Sequence, residues 1–292
     1  MITVMTPTFN RGYILHNCYA SLQRQTRRDF KWMIIDDGSN DNTEELVRAW
    51  MQEPYVDIQY IKKSNGGKAS ALNVGIDLLE TEYAVCLDSD DIFYDNTIEL
   101  ALARLSTIDR DDCCGILALR HGADGHVLGG RAIPPEFRYV TAADVFLELN
   151  LRTEFICFYK SDILKRYRFP SFDGEKFVSP SWMQYEITKD HRFMTSWDKL
   201  CQCEYQKDGL TRNKRKVIAQ NPRGYSCIKR FGFNLAPTLG LRIKHGIMYD
   251  CGCLIAGDKN WLVGIRHKVL AVVLLPLAWM VKVIRFDKYI KA

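Results

Sequence analysis

The sequence predicts an α/β fold with a Rossmann-like, mostly parallel sheet and helices on both faces. Short apolar, partly β-branched runs alternate with segments of helical periodicity, beginning at Ile2 and recurring along the first half of the chain. The first runs end in polar or glycine-rich residues, and open α/β sheets bind their ligands beyond the carboxyl ends of such strands. The 292 residues, 47% of them hydrophobic, suffice for one such domain of about 200 residues and a smaller appendage.

The predicted elements follow one another with short connections. Strands are predicted at about 2–6, 32–36, 58–61, 83–87, 114–119, 155–159 and 200–205. Helices are predicted at about 13–25, from 41 or 42 onward, and at 69–79, 97–105, 142–149 and 182–188. Glu44 and Glu45 support the second helix, because carboxylates are favourable in a first helical turn. The glycine-rich stretch 122–130 is predicted to be a turn between short strands.

Three carboxylates follow the fourth predicted strand. Asp88 and Asp90 flank Ser89 on an extended loop, so both can bind one hard cation, Mn²⁺ or Mg²⁺. Such a cation would act as a Lewis acid and neutralise charge on a diphosphate. Acidic loops after strands are common, so this motif indicates a metal site only together with the motifs that precede it. Asp91 is predicted to cap the next helix.

Two further polar motifs lie upstream. In the stretch 36–39, of sequence DDGS, Asp37 is suited to accept the imide N–H of uracil, whereas Asp36 is expected to form an Asx-type turn. The Gly-Gly-Lys stretch that ends at Lys68 combines little side-chain bulk with a cation, which suits a diphosphate or its ribose. It matches neither the P-loop pattern nor the dinucleotide-binding glycine pattern, so both classes are disfavoured.

The order T-P-T-F-N, D-D-G-S-N-D, G-G-K-A-S-A-L-N and L-D-S-D-D resembles glycosyltransferase family 2. These are inverting enzymes of the GT-A fold that take a sugar from a nucleotide diphosphate sugar. The four motifs span about residues 1–95, and a looser resemblance reaches 204–211, a segment seen in bacterial polysaccharide-building members. The resemblance implies a GT-A catalytic domain at 1–210, with a nucleotide-binding half at about 1–110 and an acceptor-binding half at about 111–210. A basic, largely helical extension follows at 211–292.

The resemblance also implies roles for individual residues. Asp90 corresponds to the metal ligand, and Asp88 to a ribose contact or a ligand acting through water. Asp37 corresponds to the base-reading aspartate. Ordinary packing remains the alternative for Pro7, Phe9 and Asn73. The implied contacts of the nucleotide sugar are Pro7, Thr8, Phe9, Asp37, Lys68, Asn73, Asp88 and Ser89.

The general base is the point of departure from the family pattern. An inverting transfer needs a carboxylate that deprotonates the acceptor hydroxyl. In related sequences an acid follows a Gly-x-x-Phe segment and opens a short helix, but here that position is Pro180. Glu175 and Glu186 are the alternative candidates, with Glu175 preferred because it adjoins Gly174. Asp173 and Asp190 are weaker candidates, and each of these acids can equally be a solvated surface residue.

Charge is distributed unevenly. Residues 1–208 carry 24 Lys and Arg against 32 Asp and Glu, whereas residues 209–292 carry 16 against 3. The resulting balance of +13 indicates a polyanionic partner for the C-terminal part. The ten cysteines form no C-x-x-C pair, which favours reduced thiols over a zinc site or disulfides.

The stretch 269–281 contains thirteen residues without a charge. It is shorter than the about 18–20 residues of a spanning helix, and Pro276 would kink it. We predict an interfacial helix at about 266–285, with Trp279 and the flanking basic residues at the headgroups of an anionic membrane. The alternative is a helix packed on the core of its own domain.

These observations predict a glycosyltransferase that moves a sugar from a UDP-sugar to a lipid-linked saccharide in capsule, exopolysaccharide or O-antigen synthesis. No signal peptide is predicted, so the expected location is cytoplasmic, peripheral on the inner face of the cell membrane. The alternatives are a same-fold transferase with a soluble acceptor, such as a protein or a teichoic acid polymer, and a catalytically weak sugar-nucleotide-binding subunit. Nucleic acid is not expected as a partner, because the basic part lacks interleaved aromatic residues.

Overall fold

The computed structural model describes residues 1–203, 206 and 213–290. These residues form two compact units. The first comprises Met1–Thr141, Leu151–Arg168 and Ile187–Glu204, and the second comprises Ala142–Asn150, Phe169–Glu186 and Tyr205–Ala292. The predicted boundary near residue 210 lies outside the described residues, as does the segment 204–211 except for Gln206. Two stretches that we expected in the catalytic domain, 142–150 and 169–186, belong to the second unit.

Within the described residues, the first unit is built on a nine-stranded sheet. The strands are β1 (Ile2–Thr8), β2 (Phe30–Asp36), β3 (Ile58–Lys62), β4 (Tyr83–Cys86), β5 (Asp91–Phe93), β6 (Cys113–His121), β7 (Tyr139–Val140), β8 (Phe155–Lys160) and β9 (Arg192–Cys203). The helices are α1 (Gly12–Gln23), α2 (Thr43–Trp50), α3 (Lys68–Asp77), α4 (Thr97–Leu105) and α5 (Ser161–Leu164).

The strand order is β3-β2-β1-β4-β8-β6-β9-β5, and β7 pairs with β9. Strands β3, β2, β1 and β4 are all parallel, so their carboxyl ends meet at one edge. Strand β8 runs antiparallel between β4 and β6, whereas β6 and β9 are parallel. The predicted α/β class is therefore confirmed, and the wholly parallel part is the one that carries the ligand-type loops.

Helices cover both faces of this sheet. Because successive strand residues point to opposite faces, Val4 and Ile34 belong to the core shared with α1, α2 and α4. Met5 and Ile35 point the other way, toward α3. A Cβ added to Gly75 of α3 would lie 3.1 Å from the Met5 sulfur and from Ile35 Cδ1, so this glycine allows α3 to pack closely on β1 and β2.

The second unit is helical, as predicted for the C-terminal region. Its helices are α6 (Ser181–Ile187), α7 (Lys214–Gln220), α8 (Pro222–Leu235), α9 (Leu239–Ala256), α10 (Lys268–Arg285) and α11 (Asp287–Ile290), with a π-helical turn at Asp144–Glu148. Thr238 caps α9 by accepting the Leu241 N–H, and Gly257 ends it in a left-handed conformation with φ of +63°. No described helix is long and apolar enough to cross a membrane.

Two differences from the predicted elements affect the site. Asp91 does not cap a helix: it opens β5, whereas α4 begins after Asn96. Strand β9 begins at Arg192, eight residues before the predicted start near 200. Strand β5 has only three residues, and β9 begins with the polar Arg192. The strand structure of both segments therefore comes from pairing with distant strands and not from a local apolar pattern. All ten cysteines are free thiols.

Candidate active site

The loops after β1 and β2 are tied together at the carboxyl edge of the sheet. Thr8 lies level with Asp36 in the strand register, and the Asp37 N–H donates to the Thr8 carbonyl at 2.8 Å. The Asn10 N–H donates to Ser39 Oγ, also at 2.8 Å. The two loops are therefore hydrogen-bonded to each other beside the parallel strands.

The first motif contributes one exposed aromatic ring. Pro7 and Thr8 are buried inside β1, and no described residue pairs with the Thr8 hydroxyl. Phe9 lies just past the strand and exposes 43% of its surface. Of these three predicted nucleotide contacts, only Phe9 presents a side chain to solvent for stacking or apolar contact.

Asp36 has the structural role that was predicted for it. One carboxylate oxygen accepts the Ser39 N–H at 2.7 Å, which is the Asx-type turn. The other accepts the Tyr60 hydroxyl at 2.5 Å. Asp36 thus joins β2, its own loop and β3, and it is fully buried.

Asp37 anchors the glycine-rich loop. Its carboxylate accepts the backbone N–H of Gly66 at 2.9 Å and that of Gly67 at 2.6 Å, and Lys63 Nζ lies at 2.8 Å. These three bonds leave about one of the roughly four acceptor positions of a carboxylate. The glycine amides that we expected near a diphosphate are therefore engaged by Asp37. Sequence reasoning missed Lys63, although its position at the end of β3, just before the glycines, is a usable signal.

Asp88 lies between two cations. Lys68 Nζ contacts one carboxylate oxygen, and Arg120 Nη1 lies 3.5 Å from the other. Burial by itself raises the pKa of Asp88, but Lys68 and Arg120 outweigh it and hold that pKa well below its ordinary value. Asp88 is consequently ionised throughout the physiological range.

Arg120, near the end of β6, is a second site residue that the sequence did not identify. Its guanidinium also contacts the carboxylate of buried Asp91, and Nε donates to the Phe155 carbonyl at 3.1 Å. Asp91 therefore forms a buried ion pair where a helix cap was predicted. Cys203 Sγ lies 3.5 Å from Arg120 Nη1, so the guanidinium supplies the positive charge near this thiol. The sequence did contain a signal for Arg120, because it is the single charged residue in the largely apolar strand β6.

Asp90 differs from both neighbouring acids. It is half-buried, and within the described part of the chain no side chain forms a hydrogen bond or an ion pair with its carboxylate. Burial, reinforced by the negative charge of Asp88, raises the pKa of Asp90. A bound cation would relieve both effects, so the oxygen donors at Asp90 and Asp88 fit a hard divalent metal.

The remaining predicted contacts lie nearby in sequence and structure. Ser89 is buried between Asp88 and Asp90. Asn73 is half-buried in α3, the helix that Lys68 opens. The first unit thus brings Lys68, Asp88 and Asp90 to the loop edge that also carries Asp37.

The two candidate bases lie in the second unit. The Glu175 carboxylate accepts the N–H of Arg223 at 2.9 Å and that of Gly224 at 2.8 Å. Both oxygens therefore satisfy the N-terminus of α8, which is a capping role. Pro180 immediately precedes α6, and Glu186 lies in that helix, half-buried.

The domain is also recognised by comparison with known proteins. The model of the family described as "Glycosyl transferase family 2" matches residues 3–168, more than half of the chain. The chain belongs to glycosyltransferase family 2. The predicted resemblance is confirmed, and the matched residues include every site residue of the first unit described above.

Curated relatives of the family 2 chain are named glycosyltransferases. Glycosyltransferase GlyG of Streptococcus pneumoniae is 32% identical over 51% of this chain and 46% of its own length. The poly(ribitol-phosphate) beta-N-acetylglucosaminyltransferase TarP of Staphylococcus aureus is 30% identical over 60% of this chain and 51% of its own. The chain therefore spans about half the length of these two relatives.

Solved structures share the fold of the family 2 chain. TarS of S. aureus gives a TM-score of 0.60 at 17% identity. The match covers 99% of this chain and 55% of the TarS chain. TarS 1–349 in complex with UDP-GlcNAc gives a TM-score of 0.56. The mannosyltransferase PcManGT of Pyrobaculum calidifontis, in complex with GDP-Man and Mn²⁺, gives a TM-score of 0.60 at 19% identity. The match covers 99% of this chain and 81% of PcManGT. At these identities the similarity establishes the GT-A type of fold alone.

Proposed function

We propose that this family 2 protein transfers a sugar, with inversion and with the help of a divalent cation, from a UDP-sugar to a lipid-linked saccharide in cell-surface polysaccharide synthesis. The proposed location is the inner face of the cell membrane. The observation that carries the proposal is the loop edge of the parallel strands, where Asp37, Lys68, Asp88 and Asp90 lie together.

The donor would bind through groups with complementary chemistry. Asp37 retains about one free acceptor position, which suits the imide N–H of uracil. Phe9 offers an exposed ring for the base or the ribose. Lys68 would exchange its contact with Asp88 for the diphosphate, which carries more negative charge. UDP- and UDP-GlcNAc-bound TarS are consistent with a uridine donor.

Asp90 and Asp88 would hold the cation. The fit rests on the Asp90 carboxylate, which pairs with no side chain among the described residues and whose raised pKa reflects burial and the neighbouring Asp88 charge. When bound, Mn²⁺ or Mg²⁺ would supply charge neutralisation to the departing nucleoside diphosphate. Arg120 keeps Asp88 and Asp91 in place by contacting both carboxylates.

The acceptor hydroxyl needs a base. Because Glu175 caps α8, Glu186 is the better candidate for the role of the acid that the family pattern has at the position of Pro180. Its carboxylate would take the hydroxyl proton as the acceptor oxygen attacks the anomeric carbon and UDP departs from the opposite side.

The test is turnover of a panel of UDP-sugars with lipid-linked saccharide acceptors, measured as UDP release and product mass, with Mn²⁺ and with EDTA. We expect turnover with one sugar, loss with EDTA, and a fall of about 10²–10³-fold in Asp90→Asn. Asp95→Asn is the matched control, because Asp95 lies five residues further on and its carboxylate forms an exposed pair with Arg24. Metal-independent turnover that survives Asp90→Asn would contradict the metal part of the proposal.

A second candidate has its own support. The name of the relative TarP specifies a poly(ribitol-phosphate) acceptor, and residues 209–292 of this chain carry a balance of +13 that suits a soluble polyanion. In that case a polyol-phosphate polymer would replace the lipid-linked saccharide in the same assay. Equal activity without any lipid would favour this candidate.

A further inference from the structure

Helix α10 has two apolar faces. One face packs inside the second unit, where Ala271, Leu274 and Ala278 are buried. A surface helix normally places polar residues on the opposite side. Here the opposite side carries no charged residue from Val269 to Ile284. It consists of Val269, Val272, Val273, Pro276, Leu277, Trp279, Met280, Val283 and Ile284, all exposed.

The exposure of this outer face is large. Val269 exposes 80% of its surface, Ile284 75%, Val273 64% and Trp279 57%. At 100° per residue these side chains lie within one arc of about 160°, so they form a continuous stripe along the helix. A contiguous apolar stripe of this kind marks a surface that binds a membrane or another protein.

Charge distinguishes between these partners. Residues 266–290 contain five Lys or Arg and one Asp, and all five basic residues lie outside the uncharged run 269–281. Lys282 lies 3.5 Å from Asp287, whereas Arg266, Lys268, Arg285 and Lys288 are exposed. Basic residues at both ends of an apolar stripe match a surface that is apolar in depth and anionic at its boundary, which describes an anionic lipid bilayer.

The helix cannot cross that bilayer. No described helix meets the length and hydropathy of a span, and one face of α10 is already committed to the second unit. The stripe would therefore lie parallel to the surface, with Trp279 and the valines among the headgroups and upper acyl chains.

We propose that the outer face of α10 is a docking surface for an anionic membrane, bound in the plane of the interface. This inference deepens the proposed function, because it would place the domain where a lipid-linked acceptor is found. Membrane binding and sugar transfer are nevertheless separate properties, and each can be measured without the other.

The experiment is co-sedimentation of the full chain with vesicles of phosphatidylcholine containing phosphatidylglycerol, beside vesicles of phosphatidylcholine alone. The wild type should pellet with the anionic vesicles, and about 1 M NaCl should weaken but not abolish binding, because salt screens only the charged part. The triple variant Val269→Gln, Val273→Gln and Trp279→Gln should bind at least about 100-fold more weakly, since each exposed side chain contributes about tenfold on burial.

Two controls keep the result specific. The matched variant Val269→Leu, Val273→Leu and Trp279→Phe preserves an apolar stripe and should bind like wild type. Met51→Gln removes an exposed apolar side chain of the first unit and should also leave binding unchanged. Circular dichroism and UDP titration of every variant establish that the fold is intact, and they separate this inference from the proposed function.

A wild type that remains in the supernatant with anionic vesicles would overturn the proposal. Sedimentation velocity of the wild type and the glutamine variant would then identify a second copy as the occupant, if only the wild type self-associates. Equal pelleting of the wild type and the glutamine variant would overturn it as well, because the stripe would then not be the binding surface. Absence of UDP-sugar turnover with retained vesicle binding would contradict the proposed function alone.

Discussion

Lys68 donates from its Nζ to a carboxylate oxygen of Asp88, so the cation at the start of α3 neutralises the first acid of the loop after β4. A divalent metal arriving alone must therefore compete with Lys68 for Asp88. A bound diphosphate would give Lys68 a new anionic partner and release Asp88. If the proposed nucleotide and metal sites are correct, the two ligands would bind with positive coupling, which is reciprocal between them.

The first prediction tests this coupling with Lys68→Gln. Mn²⁺ alone should bind about fivefold more tightly to the variant, because one competing ion pair of about 1 kcal/mol is removed. UDP should bind more weakly, and the gain in Mn²⁺ affinity on adding UDP should shrink. Titration calorimetry with and without UDP measures both affinities. Lys31→Gln, which removes a 3.6 Å pair with the exposed Glu80, is the control. Weaker binding of Mn²⁺ alone to Lys68→Gln would contradict this account.

The second prediction concerns base recognition by Asp37. Asp37→Asn should weaken UDP binding by about 1–3 kcal/mol, the range of a lost hydrogen bond to a charged group, and should reduce the preference for UDP over CDP. Part of the loss would reflect a looser glycine loop, because Gly66 and Gly67 donate to the same carboxylate. The change in nucleotide preference isolates the direct contact.

The control for that experiment is Asp41→Asn. Asp41 also accepts backbone N–H groups, from Gly12 at 3.0 Å and from Thr43 at 3.1 Å, but it belongs to the entrance of α2. Its substitution should leave the ratio of UDP to CDP affinity unchanged. Equal affinities of the wild type for UDP, CDP and GDP would contradict the base-reading role of Asp37.

The third prediction separates the two candidate bases. Glu175→Gln should lower stability by about 0.5–2 kcal/mol, since one oxygen that accepts an N–H of α8 becomes an amide donor. Glu186→Gln should lower kcat by about 10²–10⁴-fold with UDP affinity intact. Thermal unfolding and steady-state kinetics of both variants give the comparison. Full kcat in Glu186→Gln would exclude Glu186 as the general base. A loss of kcat without a loss of stability in Glu175→Gln would identify Glu175 as the base.

The fourth prediction concerns stability and pH through Asp250 in α9. Its carboxyl group is fully buried without a hydrogen-bond partner among the described residues, and burial raises its pKa to about 7. Because the folded pKa is raised, its contribution to stability is complete below the unfolded value of 3.8 and is lost as pH rises toward 7. The shift corresponds to at most about 4 kcal/mol.

Asp250→Asn should therefore unfold at a higher temperature than wild type at pH 8, and this advantage should disappear near pH 4. Thermal melts from pH 4 to 8 monitored by circular dichroism measure the difference. Asp258→Asn, an exposed acid just past the end of α9, should show no such trend. A wild type whose stability rises steadily from pH 5 to 8 relative to Asp250→Asn would contradict the assignment.

Much of the first unit could be predicted from local patterns. Strands β1 to β4 and helices α1 to α4 each carry their own apolar periodicity, and the parallel order follows from their alternation. The same patterns located Asp37, Lys68 and Asp88, because ligand loops follow strand ends and strand ends can be read in the sequence. The Asx turn at Asp36 is likewise a contact within three residues.

The partners of these residues could not be predicted in the same way. Arg120 meets Asp91 across 29 positions, and Glu175 meets Gly224 across 49. A carboxylate has the same sequence signature whether it caps a distant helix, pairs with a buried arginine or stays unpaired. Packing alone decides among these outcomes: it pairs Asp91, the expected helix cap, with Arg120, and it places the carboxylate of Glu175, a candidate base, at the N-terminus of α8.

The sequence by itself determined the family, the α/β class and the apolar character of the stretch 269–281, because each depends on residue types in a local order. Only the tertiary structure decided which side of α10 is buried and which acids are neutralised by a basic side chain. Side-chain exposure and ion pairing depend on where the chain brings distant segments together, and residue order along one segment does not contain that information.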